Sequence, residues 1–405
     1  MERRTLLKAA ALLGAPAALP GEDLYRRDPE KYWRRIREEQ FLLPGWRSFL
    51  NNGSLGIAPR PVLKAVNDYL ERSAALMVEE YPRWGYETLD EHRQELAEFF
   101  GCKTEELALT HNATEAMNIV ANGLDLKEGD EVLSTDQEHP GGLCCWLQRQ
   151  ARHGMTVRQV AIPLPPKNQG QLADLLIGSI GPRTRVLSFS GITTMTGLIF
   201  PIRDICLAAR AKGVITVVDG AHMQGQIPFR LDELGCDFLA ASPHKWLYTP
   251  AGCGFLYGRE EMLDRLWVNV ATAGWDKKEL KAARFMMVGT NNRAIFEGYI
   301  AGLRFLKQLG PERVYTRIHQ LGRMCFEKAR GTPGVEMLTP DDDLMFAGLV
   351  TMKLKDGHWK RVQEFCAKKR IWVLQSSRSR ISTHIHTRPQ DLDEFFEILR
   401  GVTAA

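Results

Sequence analysis

Between residues 105 and 260 the chain alternates short apolar runs with stretches of helical spacing. The runs are Leu107-Ala108-Leu109, Glu131-Val132-Leu133, Arg185-Val186-Leu187-Ser188-Phe189, Val214-Ile215-Thr216-Val217-Val218 and Asp237-Phe238-Leu239-Ala240. Most show no in–out alternation, as expected of strands covered on both faces. Residues 114–122, 142–153 and 202–212 separate them as helices, so the pattern predicts an α/β fold with a mostly parallel sheet. Upstream, residues 28–40 predict a helix, the N-N-G-S-L-G stretch at 51–56 a turn, and Pro61 a helix start. Downstream, Ile295, Tyr299, Leu303, Phe305 and Leu306 mark one long helix and residues 314–329 another. The tail predicts strands at 349–354, 371–374 and 380–384 with helices at 359–369 and 390–400, a smaller α+β unit. The expected organisation is a leader at 1–20, an N-terminal segment at 21–60, a large α/β domain at 61–290 and a small α+β domain at 291–405.

Composition changes this picture little, apart from the first residues. The 53 basic and 49 acidic side chains give a net charge of +4, of which residues 1–20 carry +2 through Arg3, Arg4 and Lys8 against Glu2. The remainder is nearly neutral and lacks the basic footprint of a nucleic-acid binder. The start, MERRTLLKAAALLGAPAALP, has a charged head, a short apolar stretch and small residues near Ala15-Pro16-Ala17. It resembles a twin-arginine (Tat) export signal, which implies a periplasmic or exported protein folded before transport. Its apolar run is too short to span a bilayer, and no later segment offers a continuous uncharged span. None of the eight cysteines forms a C-x-x-C pair, so neither a zinc site nor a dithiol redox site is indicated.

Ligands of parallel α/β sheets gather at the carboxyl ends of the strands, and the residues there are unusual. The run ending at Val218 leads into Asp219-Gly220-Ala221-His222, and the run ending at Ala241 into Ser242-Pro243-His244-Lys245-Trp246. The others lead into Thr135-Asp136-Gln137-Glu138-His139, His111-Asn112-Ala113-Thr114-Glu115 and Thr193-Thr194-Met195-Thr196-Gly197. Taken singly, these are ordinary turn formers, helix starts and surface lysines. Together they offer what pyridoxal 5'-phosphate (PLP) requires: an amine for its aldehyde, a carboxylate for its ring nitrogen, and hydroxyls at a helix start for its phosphate.

Order and spacing resemble the class V aminotransferase family of fold-type I PLP enzymes, which includes cysteine desulfurases and isopenicillin-N-epimerase-like proteins. The resemblance runs from Asn51 to about Phe396 and is carried by S-P-H-K-W (242–246), P-A-G-C-G-F-L-Y-G (250–258) and D-G-A-H (219–222). It implies that Lys245 carries the cofactor as a Schiff base and shuttles the substrate's α-proton, while Asp219 pairs with the pyridine nitrogen. His139 would stack on the ring, with His222 beside it. Ala113, Thr114, Ser242 and His244 would serve the cofactor's phosphate end, and Thr194 would stand near its phenolic oxygen. Arg380 would take the carboxylate of a small amino acid substrate, a task suited to a planar fork, with Asn52 also at the substrate. Gly289-Thr290 would reach the neighbouring subunit's cofactor phosphate, implying a homodimer.

Three departures narrow the expectation. Thr194 stands where the family usually has asparagine, His386-Thr387 replaces a common Tyr-Asn pair, and residues 372–379 contain no cysteine where a desulfurase presents its thiol. Transamination or epimerisation at an amino acid's α-carbon is therefore favoured over sulfur mobilisation. A carbon–sulfur lyase acting on a cysteine conjugate is the alternative, and a non-catalytic PLP-binding envelope protein a further one. Arg83 and Trp84 either line the substrate pocket or cap a helix.

Overall fold

The computed structural model describes residues 18–80, 87–355, 357–377 and 379–404; the twin-arginine stretch and Arg83-Trp84 lie outside them. After β1 (Ser48–Phe49), seven strands build the central sheet: β2 (Leu107–Thr110), β3 (Glu131–Thr135), β4 (Thr156–Val160), β5 (Thr184–Ser190), β6 (Ile215–Asp219), β7 (Phe238–Ala241) and β8 (Gly254–Gly258). They lie in the order β2-β8-β7-β6-β5-β3-β4. All pairs are parallel except those of β8, which runs against both β2 and β7.

Two of these strands escaped the sequence pattern. The strand β4 is the polar, half-exposed edge T-V-R-Q-V, and β8 is five residues bounded by glycines, with too little length to show a period. The predicted helices are present within a few residues of their expected ends, which are set by local chemistry. Asp28 caps Pro29–Gln40, Asn112 caps Ala113–Gly123, and His139 Nδ1 accepts from Gly141 N at the start of Pro140–His153.

Four strands follow: β9 (Glu336–Met337), β10 (Leu349–Lys353), β11 (Ile371–Trp372) and β12 (Ser379–Ser382). An antiparallel sheet has the order β12-β10-β9, while β11 pairs in parallel with β1. Two apolar cores result. The smaller joins Leu50, Phe326, Phe346, Val350, Ile381, Phe395 and Phe396. The larger surrounds the seven-stranded sheet and also takes in Phe296, Tyr299, Leu303, Phe305 and Leu306 from the helix Ala294–Leu309. That helix, expected beyond a boundary near residue 290, therefore packs on the large core, and Leu50 crosses the other way into the small one.

The helix Pro311–Arg330 approaches the chain before β10 so closely that a Cβ on Gly322 would overlap the Ala347 carbonyl oxygen. Helix propensity alone would make Gly322→Ala stabilising by about 1 kcal/mol. Because the obstacle is backbone, Gly322→Ala is expected instead to destabilise by about 1–3 kcal/mol, read as a lower urea midpoint at unchanged slope.

Candidate active site

The carboxyl ends of adjacent strands open on one cavity of about 420 Å³. Register places Ser190, the last residue of β5, beside Asp219, the last of β6, and β7 runs directly into Ser242. The walls include Ala113, Thr114, His139, Thr194, Asp219, His222, Ser242, His244, Lys245 and Arg380. Gly53 and Ser54 of the 51–56 turn also line it, as do Ser190, Ile192 and Leu374, which sequence reasoning did not single out. Nothing in their local pattern marks them, because they arrive by tertiary packing.

Two predicted residues stand elsewhere. The Asn52 amide is turned away from the cavity: Nδ2 donates to the Lys245 carbonyl at 2.8 Å and Oδ1 meets His386 Nε2 at 3.3 Å. Its neighbour Asn51 contacts Arg380 instead. Thr290 is exposed and is not part of the cavity wall.

Charge dominates this cavity. Lys245 is half-buried, and desolvation pulls its ammonium down to about 8, with Arg380 adding repulsion and Asp219 opposing both. Arg380 is 2 % exposed, and burial brings its guanidinium down to about 10. It donates to the Thr194 carbonyl at 2.6 Å, Asn51 Oδ1 at 3.0 Å and Ser54 Oγ at 2.9 Å, while its Nε finds no partner. No carboxylate salt-bridges Arg380 among the described residues. Asp219 accepts from Ala221 N at 3.0 Å through Oδ1 and forms no salt bridge among them either. A Cβ on Gly142 would come within 2.7 Å of Asp219 Oδ2, so only glycine leaves that oxygen its room.

The histidines are neutral. Burial pushes His222 well below the usual range and His244 down to about 4, with Lys245 repelling both. His139 is lowered by the same two causes. The indole N–H of Trp246 donates to His222 Nδ1 at 3.1 Å, and His222 Nε2 lies 3.1 Å from Lys245 Nζ and 3.2 Å from Thr194 Oγ1. Beside this group, burial pushes the Glu138 carboxyl up to about 7 against the hydroxyls of Ser190 and Thr135, which donate to it at 2.6 and 2.5 Å.

The donor set fits PLP. Ser242 Oγ accepts from Ala113 N at 2.8 Å, which leaves its own proton free beside the start of the helix Ala113–Gly123. Hydroxyls and amides there suit a phosphate, Asp219 Oδ2 suits a protonated ring nitrogen, and Lys245 supplies the amine. Parallel sheet, strand-end cavity and this donor set define a fold-type I PLP-dependent enzyme.

Comparison with known proteins gives the family. The model of the aminotransferase class-V family matches residues 49–389, and the chain belongs to that family. It is 30% identical over 397 residues to isopenicillin N epimerase of Streptomyces clavuligerus, covering 92% of this chain and 98% of that one. Identity to isopenicillin N epimerase of Amycolatopsis lactamdurans is 31% over 402 residues, with the same coverage of 92% and 98%. The solved complex of the cystine C–S lyase C-DES with cysteine persulfide superposes with a TM-score of 0.78 at 26% identity, covering 87% of this chain and 97% of that one.

A lysine near 8 should react at lower pH than any surface lysine. Borohydride trapping of PLP on cofactor-stripped protein, followed by peptide mass mapping, is expected to place the label on Lys245. Its yield should rise with pH and level off above about 8, the value set by burial. A yield still climbing towards pH 10 would be the behaviour of an unperturbed lysine.

Proposed function

We propose that the protein acts at the α-carbon of a small amino acid, by epimerisation or transamination, with Lys245 as the residue that holds PLP and moves the α-proton. One observation carries this reading: a buried guanidinium with no carboxylate partner among the described residues, Arg380, shares one cavity with a lysine near neutrality and with Asp219. A non-catalytic PLP binder has no use for such a carboxylate fork.

The residues divide the work by charge. Arg380, held flat by Thr194, Asn51 and Ser54, takes the substrate carboxylate and fixes which bond at the α-carbon faces Lys245. Bound PLP supplies an electron sink for the charge left when that bond breaks. Asp219 Oδ2 would keep a proton on the ring nitrogen, Thr114 and Ser242 would hold the phosphate, and His139 would serve the ring. His222 offers its N–H along the Lys245–Thr194 edge.

Both epimerase relatives match over nearly their whole length, which supports α-hydrogen chemistry. The likeness to C-DES supports a second reading, release of pyruvate from a cysteine conjugate. Desulfurase chemistry lacks a thiol: no cysteine lines the cavity among the described residues, and Cys366 is buried in the small core.

A homodimer and export complete the reading. Thr290 is exposed and outside its own cavity, which leaves it free to serve a partner's phosphate in such a dimer. The Arg3-Arg4 leader is the address for the twin-arginine route. Changing both arginines to lysine in a tagged full-length chain is expected to leave the protein in the cytoplasm, read by cell fractionation; unchanged export would remove this address.

The central test is exchange of α-hydrogen with deuterated water across a panel of amino acids, with chiral analysis and keto-acid assay in parallel. Wild type is expected to exchange at least one of them, and Lys245→Ala none. Arg380→Lys should lower kcat/KM by about 10–100-fold, the worth of a charge-assisted fork. Pyruvate without exchange into recovered substrate would establish the lyase reading, and neither product would remove both.

A further inference from the structure

Trp246 follows the lysine directly and is fully buried, yet its indole N–H points back at the site. An indole nitrogen can only donate. At 3.1 Å from it, His222 Nδ1 must therefore be an acceptor, so the neutral ring carries its proton on Nε2. A second proton, on Nδ1, would set two N–H groups against each other. Trp246 thus excludes the imidazolium as well as the other neutral tautomer.

The consequence lies one bond further on. His222 Nε2–H faces Lys245 Nζ at 3.1 Å, and an ammonium has no lone pair to accept from it. Only the free amine completes the chain from Trp246 through His222 to Lys245. Thr194 Oγ1, at 3.2 Å, is the other acceptor for the same proton. The indole cannot turn away. Its ring stacks on His384 at 5.7 Å, and its carbonyl accepts from His384 Nε2 at 3.0 Å. His384 is itself fixed by Ile385 N, which donates to its Nδ1 at 2.8 Å.

We propose that Trp246 is a positioning residue: its N–H fixes His222 as the Nε2–H tautomer, which in turn holds Lys245 as the free amine that captures the cofactor. This rests on Lys245 being the PLP-bearing lysine. Other charged or titratable groups also face the pair. Asp219 and Arg380 act on Lys245 with opposite sign, while Arg380, His139 and His244 all oppose a charge on His222. Trp246→Phe leaves every one of them in place and keeps an aromatic ring against His384, so it removes little besides the donor.

Two readouts test this on protein stripped of PLP. In the nitrogen spectrum of 15N-histidine-labelled wild type, His222 is expected with Nδ1 bare and the proton on Nε2. In Trp246→Phe the other tautomer or the imidazolium should appear. The rate of PLP capture at pH 7 should then fall about tenfold, with its pH midpoint moving up by about one unit. A wild-type His222 protonated on Nδ1 would overturn the proposal, and so would a variant with unchanged tautomer and midpoint. If Trp246→Phe fails to fold, the wild-type spectrum alone decides. If wild-type Lys245 captures no PLP, the reading of Lys245 falls and this proposal with it; the nitrogen spectrum then reports separately on whether Trp246 sets the tautomer of His222.

Discussion

A buried guanidinium, Arg380, and a half-buried lysine, Lys245, share one cavity with a single buried carboxylate, Asp219, and neither basic group is closed by a salt bridge among the described residues. Uncompensated charge of this kind opposes folding by several kcal/mol per group. A structure can hold it only if packing elsewhere over-determines the positions, and the rest of the molecule is arranged to do so. Asp219 ends a strand with parallel neighbours on both sides, inside the large core. Arg380 sits in β12, paired with β10 on the small one.

The N-N-G-S-L-G turn joins these two halves. Asn51 and Ser54 bind the Arg380 guanidinium, Asn52 binds the Lys245 carbonyl, Gly53 N donates to Ser382 Oγ, and Gly56 N donates to the His244 carbonyl. A Cβ on Gly56 would collide with the Lys245 carbonyl, so that position requires glycine. What reads in the sequence as an irregular loop is in the fold a rivet between lysine and arginine.

How much of this was legible depended on whether the signal was local. The parallel strands announced themselves because burial on both faces leaves unbroken apolar runs, and their polar ends named Asp219 and Lys245. Helix starts were readable from Asn112 and from Pro61. Edge strand β4 was not, since a half-wet strand of five residues resembles a loop. Asn52 was placed in the substrate site because its neighbourhood was right. Nothing local could reveal that Asn51 and Ser54 would meet the guanidinium while Asn52 turned to the Lys245 backbone. Ser190 reaches the cavity from the end of β5 and Leu374 from the loop after β11, and only long-range packing puts them there. Trp246 stood within the motif that was quoted, but its role depends on the direction of one N–H, which no spacing encodes.

The segment from Arg380 to His386 shows why substrate recognition and cofactor attachment behave as one unit here. Its first residue offers the guanidinium, His384 holds the Trp246 carbonyl, and His386 meets the Asn52 amide that grips Lys245. The His384 and His386 rings stack at 5.4 Å, both neutral because burial drives their pKa values down. Neutrality matters: a charged imidazole in that column would add a further cation beside the buried Arg380 guanidinium. Replacing the family's common Tyr-Asn pair by His386-Thr387 thus keeps an aromatic ring in the column. It substitutes an N–H donor for a phenol without adding charge. The clamp for the carboxylate and the backbone of the lysine are thereby set by the same seven residues, and a shift in one must move the other.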